Sequence, residues 1–336
     1  MVTTRSVSKG LIVFVGTVVA LAIGIALFGA VPEETPLGTT DVVLVLAVVL
    51  VGMWLAGRIA SSVVTEYNVA EVEVDGVITR DGKPGGLPIG SVAASANDLV
   101  EQIERADDDG DVDALIVTLN TPGGQVVPSE DIRKAAADFD GPTVAYAEDQ
   151  ATSGGYWIAS GCDTFHARRG SVVGSIGVNA TQLGRTGLAE KLGLDYRRFV
   201  AGEYKDTPSP WRELETHEEQ YFQGILDDFY DQFVDTVAAG RDLDPETIRD
   251  TEARVYLGET ANEMGLIDRC GSRQEMEEQL ATELGVDAVD VRKFEPRRRL
   301  SERMGAEARS IAFAVGAGIA SGLFGDRVES DVRVQR

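Results

Sequence analysis

The alternation of strand-like and helix-like segments beyond residue 66 constrains the fold of this chain more than any other feature of its sequence. Apolar and polar residues alternate in YNVAEVEVDGVI, as in a strand, and SANDLVEQIERADDD then has the spacing of an amphipathic helix. The same order continues through VDALIVTLN, VPSEDIRKAAADF, PTVAYAE, SGGYWIASG and DTFHARR. Strands joined by helices form parallel sheets through right-handed crossovers, so this order predicts an α/β fold. We find no internal repeat, which predicts a single domain over residues 66–290.

The clearest predicted helix is THEEQYFQGILDDFYDQFVDTVAAGR, which starts at Thr216. Thr216 is predicted to cap it, with Glu219 completing a capping box, and Gly240 is predicted to end it. Its apolar residues fall on one face. They are Tyr221, Phe222, Ile225, Leu226, Phe229, Tyr230, Phe233, Val234 and Val237. This face is predicted to pack in the core or against another subunit.

Two apolar runs near the start of the chain predict a transmembrane hairpin within residues 1–65. The first, about residues 11–31, has no charged residue and is long enough to span a hydrocarbon core of about 30 Å. A cleaved signal peptide is the rival interpretation, but its h-region has only about 7–15 residues. The second run, about residues 41–60, ends near Arg58, which can snorkel to the interface. The acidic stretch PEETPLGTTD separates the two runs.

The charges beside the apolar runs indicate how the predicted hairpin is oriented in the membrane. Arg5 and Lys9 precede the first run, and basic residues are enriched on the cytoplasmic side of membrane proteins. Two spans then return the main domain to the cytoplasmic side.

The last part of the chain, residues 291–336, has a composition of its own. The basic stretch RKFEPRRRLSERMGAEAR is followed by the uncharged stretch SIAFAVGAGIASGLFG. One interpretation is a helix on the membrane surface with its arginines on lipid phosphates. A flexible tail or an oligomer contact is the other.

Composition excludes several function classes. The net charge is −24, and it repels nucleic acid. So acidic a chain is typical of a halophile, where salt screens the self-repulsion, although an ordinary acidic protein is the alternative. No H-E-x-x-H motif is present, and the glycine loops differ from G-x-x-x-x-G-K-[ST], so neither a zinc hydrolase nor nucleotide binding is indicated. We therefore expect no metal or other cofactor. Cys162 and Cys270 form no disulfide framework, although one bridge between them remains open.

Two glycine loops follow predicted buried strands, LNTPGG at residues 119–124 and DQATSGG at residues 149–155. Loops at the carboxyl ends of parallel strands converge on one crevice. Ser153 then lies at a helix start, where the N–H of Gly154 and that of Gly123 or Gly124 could form an oxyanion hole. The alternative is that Ser153 is only a helix N-cap.

A nucleophilic serine needs a base. His166 lies in a predicted strand, where a structural role is commoner, and His217 lies in the first turn of the long helix, where a surface role is expected. A lysine can serve if it is neutral at working pH. Lys205, in the loop AGEYKDTPSP, is one candidate among the lysines. Its flanking carboxylates, Glu203 and Asp206, must point away, because a nearby carboxylate raises the pKa of an amine.

Several of these stretches together resemble the signal peptide peptidase A (protease IV) family, single-domain type. They are LNTPGG, ATSGGYWIAS, GSIGV, AGEYKDTPSPWRELETHEEQ and VYLGETANEMGLID, and they extend from about residue 69 to 268. The resemblance implies a crotonase-like, Clp-protease-like fold and a Ser–Lys dyad. It implies Ser153 as the nucleophile and Lys205 as the general base, with Ser175 orienting the lysine. It also implies Gly124 and Gly154 as the oxyanion donors.

The resemblance carries further expectations. Single-domain members of the family assemble into rings in which neighbouring subunits complete the dyad, and their substrates are remnant signal peptides in the membrane. The family usually has one amino-terminal span with the catalytic domain outside, whereas this chain has two predicted spans. The side of the membrane on which the domain lies therefore stays open.

Three other functions remain in view. The first is a protease of one membrane partner, such as a stomatin-like protein. The second is a catalytically silent, ring-forming scaffold. The third, an acyl-CoA enzyme of the crotonase type, is disfavoured by the acidic charge and by the lack of a basic phosphate site.

Overall fold

The computed structural model describes residues 4–29, 39–63, 67–83 and 93–296. Most of the predicted tail, including its uncharged stretch at residues 310–325, lies outside the described residues. The acidic stretch between the two apolar runs lies largely outside them too.

Both apolar runs form helices, α1 (Thr4–Gly24), which continues as a π-helical turn (Ile25–Gly29), and α2 (Thr39–Val63). Each contains a window of 19 residues that is long and apolar enough to cross a membrane, Gly10–Phe28 in the first and Val42–Ala60 in the second. The two helices pack against each other through small residues. Their outer faces carry exposed large apolar side chains such as Phe14 and Trp54.

The rest of the described chain alternates strands and helices. The strands are β1 (Val69–Asp75), β2 (Val77–Thr79), β3 (Ala93–Ser95), β4 (Ala114–Thr121), β5 (Thr143–Thr152), β6 (Thr164–Ala167), β7 (Val172–Gly174), β8 (Val255–Leu257), β9 (Arg269–Cys270) and β10 (Val291–Lys293). The helices are α3 (Ala96–Asp107), α4 (Val126–Ala137), α5 (Gly154–Ala159), α6 (Thr186–Lys191), α7 (Thr216–Arg241), α8 (Pro245–Arg249), α9 (Gly258–Glu263) and α10 (Arg273–Glu283).

The main sheet confirms the predicted parallel α/β class. Six of its eight strands follow the order β10-β1-β4-β5-β6-β9, and every pair on this path is parallel. The long strand β5 pairs with β6 in its first half and with β7 at its end, and β7 pairs antiparallel with β8. Strands β2 and β3 form a separate parallel pair. The carboxyl end of β5 is thereby held on two sides.

Strand β10 corrects the predicted end of the domain. Val291 pairs with Val69 and Lys293 with Glu71, so residues that the composition assigns to the tail belong to the sheet. Lys293 also forms an ion pair with Glu73 of β1. Basic side chains on an edge strand discourage pairing with further strands, which explains a basic sequence at this position.

Apolar side chains on both faces of the sheet are buried. On one face Val72, Val74, Leu115 and Val117 pack with apolar side chains of α3, α4, α5 and α7 in the larger core. On the other face Ile116 and Tyr146 pack with Met276 and Leu280 of α10. A sheet covered by helices on both faces gives strands that are nearly continuously apolar, as in VDALIVTLN.

The long helix begins one residue from the predicted cap. Glu215, rather than Thr216, is the N-cap, and its backbone N–H donates to the Glu218 carboxylate at 3.0 Å. The capping box therefore pairs Glu215 with Glu218 instead of Thr216 with Glu219. On the apolar face only Phe233, Val234 and Val237 are fully buried, and the first half of that face stays partly exposed.

Residues 183–204, which we call the apolar segment, lie at the surface. Phe199 is 90% exposed and Leu183 is 75% exposed. The other large apolar side chains that it exposes are Leu188, Leu192, Leu194, Tyr196, Val200 and Tyr204. Large exposed apolar side chains concentrated in one segment are typical of interaction surfaces.

Candidate active site

Ser153 lies between the end of β5 and the start of α5 in an uncommon backbone conformation. Its φ is 53° and its ψ is −118°, a region that residues with side chains rarely adopt. Two backbone bonds hold it there, because its N–H donates to Gly174 O at 2.9 Å and its carbonyl accepts from Trp157 N at 2.9 Å. Ser153 occupies the N-cap position of α5, as the alternative interpretation expects, but its hydroxyl forms no capping hydrogen bond.

The two glycine loops meet beside Ser153. A Cβ on Gly154 would lie 3.2 Å from the backbone N of Gly124, so the two N–H groups are close neighbours. Neither N–H donates a hydrogen bond to another described residue. The first loop is held by strand β2, since Ile78 N donates to Gly123 O at 2.9 Å and Gln125 N donates to Ile78 O at 3.0 Å. Gly124 fits this approach because a Cβ there would lie 2.1 Å from Ile78 O.

Ser175 lies on a third loop of the same site, just after β7. Its φ of 53° is also positive, and its N–H donates to Arg254 O at 2.9 Å. The turn that carries this acceptor includes Glu252 and Ala253, whose φ values are 49° and 56°. Sequence reasoning missed this turn, because positive φ values at residues other than glycine leave no mark on the sequence.

A cavity of about 840 Å³ joins these loops, and Ser153, Ser175, Gly124 and Gly154 all line it. Polar and apolar side chains both line it. Its apolar walls come from three helices. They include Val126 of α4, Trp157 of α5 and the α7 residues Leu226, Tyr230 and Phe233.

Trp157 is a fixed part of this wall. Its indole N–H donates to Glu130 at 2.6 Å, and its ring lies 4.5 Å from that of Phe233. Arg133 in turn donates two hydrogen bonds to Glu130, at 2.6 and 2.8 Å. Burying the indole N–H without such an acceptor would be costly, so the carboxylate fixes the ring orientation.

The described lining of the cavity contains neither a lysine nor a histidine. Asp227 and Glu252 are the charged residues of its described lining, and both are acidic. His166 lies buried in strand β6, where burial lowers its pKa to about 4, and it does not reach the cavity. His217 pairs with Glu203 at 3.3 Å and with Glu215 at 3.6 Å, also away from the lining.

Lys205, the predicted base, lies elsewhere on the surface of the same chain. Its side chain is exposed and is not part of the Ser153 cavity. Its amine forms no ion pair with the described residues. Within one chain the structure therefore joins four of the predicted site residues, Ser153, Ser175, Gly124 and Gly154, and leaves Lys205 apart. The two cysteines are both free, with Cys162 buried and Cys270 partly exposed.

A serine with a strained backbone, in a cavity beside two N–H donors that no described residue accepts from, is an arrangement suited to nucleophilic catalysis with an oxyanion hole. The model of peptidase family S49 matches residues 135–287, a range that includes Ser153, Ser175 and Lys205. The chain is 35% identical over 201 residues to a putative protease of Synechocystis sp., covering 59% of this chain and 73% of that protein. It is 30% identical over 219 residues to a putative signal peptide peptidase of Enterococcus faecium, covering 64% and 63%.

Among solved structures, a mutant of the 1510-N membrane-bound stomatin-specific protease is similar, with 17% identity and a TM-score of 0.43 over 68% of this chain and 98% of that one. The sequence matches define the class of this protein as a serine-type peptidase. The chain belongs to peptidase family S49, which bears out the expected relation to signal peptide peptidase A.

Proposed function

We propose that this protein is a membrane-anchored endopeptidase that uses Ser153 as nucleophile and Lys205 of a neighbouring copy as general base. The observation that carries the proposal is the turn at Ser153. There a serine with a strained backbone lies beside the N–H groups of Gly124 and Gly154, which have no acceptor among the described residues. A backbone conformation that costs about 1–3 kcal/mol is retained where the reaction needs it.

The proposed reaction follows from these groups. Neutral Lys205 accepts the Ser153 proton as the oxygen attacks a peptide carbonyl, and the N–H groups of Gly124 and Gly154 bind the oxyanion. The resulting ammonium then protonates the leaving amine, and water releases the acyl group by the reverse proton transfers. The Ser175 hydroxyl, which lines the same cavity, orients the incoming amine.

The apolar segment supports a second copy as the source of the lysine. Lys205 immediately follows this segment and has no ion-pair partner among the described residues. Covering Phe199, which is 90% exposed, with another subunit removes apolar surface from water. A head-to-tail contact of this kind closes into a ring when its rotation permits.

The substrates that we propose are apolar peptides at the membrane, such as remnant signal peptides. The apolar side chains in the cavity lining, such as Trp157, Leu226 and Phe233, support this class, as do the two apolar amino-terminal helices. The helices keep the domain at the bilayer where such peptides remain after secretion, and residues 297–336 are proposed as an additional lipid contact. We further propose concentrated salt as the working medium, because salt screens the repulsion of a net charge of −24.

A mixing experiment tests the dyad and its arrangement together. Ser153→Ala and Lys205→Ala are each expected to lower kcat by at least about 10⁴-fold while the oligomer persists. Co-assembly of the two inactive variants should restore cleavage, because about a quarter of the junctions in a randomly mixed ring carry both groups.

The matched control for Lys205→Ala is Lys134→Ala, which removes an exposed lysine of α4 outside the apolar segment and should leave kcat unchanged. Near-normal turnover by Lys205→Ala would exclude it as the base. Failure of the mixture to recover activity would instead place both groups in one subunit. A wild-type protein that never reacts with a serine-directed probe would favour the silent scaffold. Products confined to a single membrane protein would favour a partner-specific protease.

A further inference from the structure

The loop that carries Lys205 is held by a cluster of charges centred on Arg212. This arginine precedes α7, and its side chain is only 15% exposed. Its guanidinium donates to both oxygens of Glu218 at 2.5 Å and to both oxygens of Asp206 at 3.2 and 3.3 Å. Glu218 lies in the first turn of α7, whereas Asp206 directly follows Lys205 in the chain. One side chain thus ties the lysine loop to the long helix.

Other groups complete the cluster. Arg198 pairs with Asp206 at 2.7 Å, and its guanidinium donates to Glu203 O at 2.8 Å. The Tyr196 hydroxyl donates to Asp206 at 3.3 Å. The Thr207 hydroxyl donates to Glu218 at 2.5 Å. The positive charges of Arg198 and Arg212 are therefore matched by the negative charges of Asp206 and Glu218.

Both carboxylates that flank Lys205 are engaged elsewhere. Asp206 faces two guanidinium groups, and Glu203 pairs with His217 at 3.3 Å. The hydrogen bonds from Arg212 hold the pKa of Asp206 below its usual range, so this carboxylate stays ionised. Without Arg212, Asp206 would keep Arg198 and Tyr196, which both belong to the apolar segment before Lys205, but would lose its link to α7. The carboxylate would then be held less firmly away from the neighbouring amine.

We propose that Arg212 is a positioning residue for the general base, because it holds Asp206 away from the Lys205 amine and fixes the lysine loop on α7. The inference rests on the proposed function, in which that amine must be neutral to accept the Ser153 proton. A carboxylate within about 4–6 Å of an amine favours its charged form. Each unit by which the pKa of a lysine rises lowers its neutral fraction about tenfold at pH values below the pKa.

The test is the pH dependence of kcat/KM for a peptide substrate, measured with the full-length protein at constant salt. The acidic limb reports the ionisation of the base in the free enzyme. Arg212→Met is expected to move this limb to higher pH by about one unit, which gives about tenfold lower kcat/KM at neutral pH and recovery in alkali. The double variant Arg212→Met with Asp206→Asn is expected to return the limb to its original position, because the competing carboxylate is gone.

Arg273→Met is the matched control. Arg273 is 24% exposed and also bridges two carboxylates, Glu71 and Glu277, each at 2.7 Å, but it lies on α10. We expect it to lower thermal stability without moving the limb. If Arg212 contributes only to stability, Arg212→Met should likewise leave the acidic limb of the kcat/KM profile unshifted. That result would overturn the proposal. A limb that stays shifted in the double variant would overturn it as well.

If Arg212→Met does not fold, the same pH profiles are measured for Arg212→Lys, alone and combined with Asp206→Asn. A lysine keeps the charge but lacks the planar fork that holds two carboxylates, so we expect a smaller shift in the same direction. Different results would contradict the proposed function and the positioning role of Arg212. Activity retained by Lys205→Ala removes the base and with it the proposed function. An inactive Lys205→Ala together with an unshifted Arg212→Met removes only the positioning role.

Discussion

The strain at Ser153 is sustained by neighbours that are themselves held in place. The carbonyl of Gly174 accepts the N–H of Ser153, and the next residue, Ser175, donates its own N–H to Arg254 O. The turn that contains Arg254 therefore supports the Gly174–Ser175 loop, and this loop in turn holds Ser153. Such a chain of backbone bonds keeps a costly conformation populated, because relaxing Ser153 would require several turns to move together.

A methyl group at Gly124 tests the proposed oxyanion hole at the scale of one residue. In Gly124→Ala the new Cβ would lie 2.1 Å from Ile78 O, so the loop must shift and carry the Gly124 N–H away from the reacting oxygen. We expect kcat to fall about 10²–10³-fold, as for the loss of one oxyanion donor, with a smaller effect on KM. Steady-state kinetics with a peptide ester or amide measures both quantities.

Gly110→Ala is the control, because a Cβ at Gly110 meets no atom within 4 Å. It should leave kcat unchanged and keep the melting temperature of the parent protein. Unchanged kcat in a folded Gly124→Ala protein would remove Gly124 from the proposed hole.

How far the sequence predicts this site depends on the kind of interaction. The meeting of Gly124, Gly154 and Ser153 follows from two glycine loops at the carboxyl ends of parallel strands, a rule that needs no coordinates. The positive φ of Ser153 and the turn at Glu252 arise from tertiary contacts, so no local pattern encodes them. The separation of Lys205 from the cavity within one chain agrees with the family resemblance, in which neighbouring subunits complete the dyad, although no sequence pattern gives the distance.

At the scale of elements, the strand and helix order was predictable but the ends were less so. Periodicity identified α3, α4 and α7, because each has one apolar face. Strand β10 was missed because an edge strand of three residues is defined by pairing with β1 and not by its own pattern. The cap of α7 fell on Glu215 because either of two adjacent residues can supply the capping oxygen.

The pairing of α1 with α2 allows a prediction at this scale. A Cβ at Gly52 would lie 2.2 Å from Ala20 Cβ, so the two helices approach closely only because this position is glycine. Gly52→Leu is therefore expected to separate the helices. The pair Gly24→Cys and Val45→Cys reports this, because a Cβ at Gly24 lies 3.3 Å from a Val45 side-chain carbon, and oxidation in membranes should link them.

We expect Gly52→Leu to lower the yield of this cross-link severalfold. Gly57→Leu, in the same helix, is the control, since a Cβ there meets nothing within 4 Å and the yield should not change. Equal yields in the two leucine variants would argue against the small-residue contact.

At the scale of the whole molecule, the number of amino-terminal spans decides which compartment the peptidase serves. Both apolar runs form helices of sufficient length, so two spans place the start of the chain and the peptidase domain on one side of the membrane. Arg5 and Lys9 favour the cytoplasm for that side. A single span would place the domain on the opposite side, where remnant signal peptides would be met from outside.

Thiol labelling separates the two arrangements, because the chain has only two cysteines. Cys162 is buried and burial raises its pKa to about 12, so it stays unreactive in the folded protein. Cys270 is partly exposed, although burial also raises its pKa, so labelling needs mildly alkaline buffer. With two spans, a membrane-impermeant maleimide should label Cys270 in lysed cells and not in intact cells. Thr35→Cys in a Cys270→Ser background places a thiol in the acidic stretch between the two apolar runs. This thiol should react in intact cells, which shows that the reagent has access. Labelling of Cys270 in intact cells would mean that the peptidase domain faces outward. If Thr35→Cys is labelled in intact cells as well, only one of the two apolar helices crosses the bilayer.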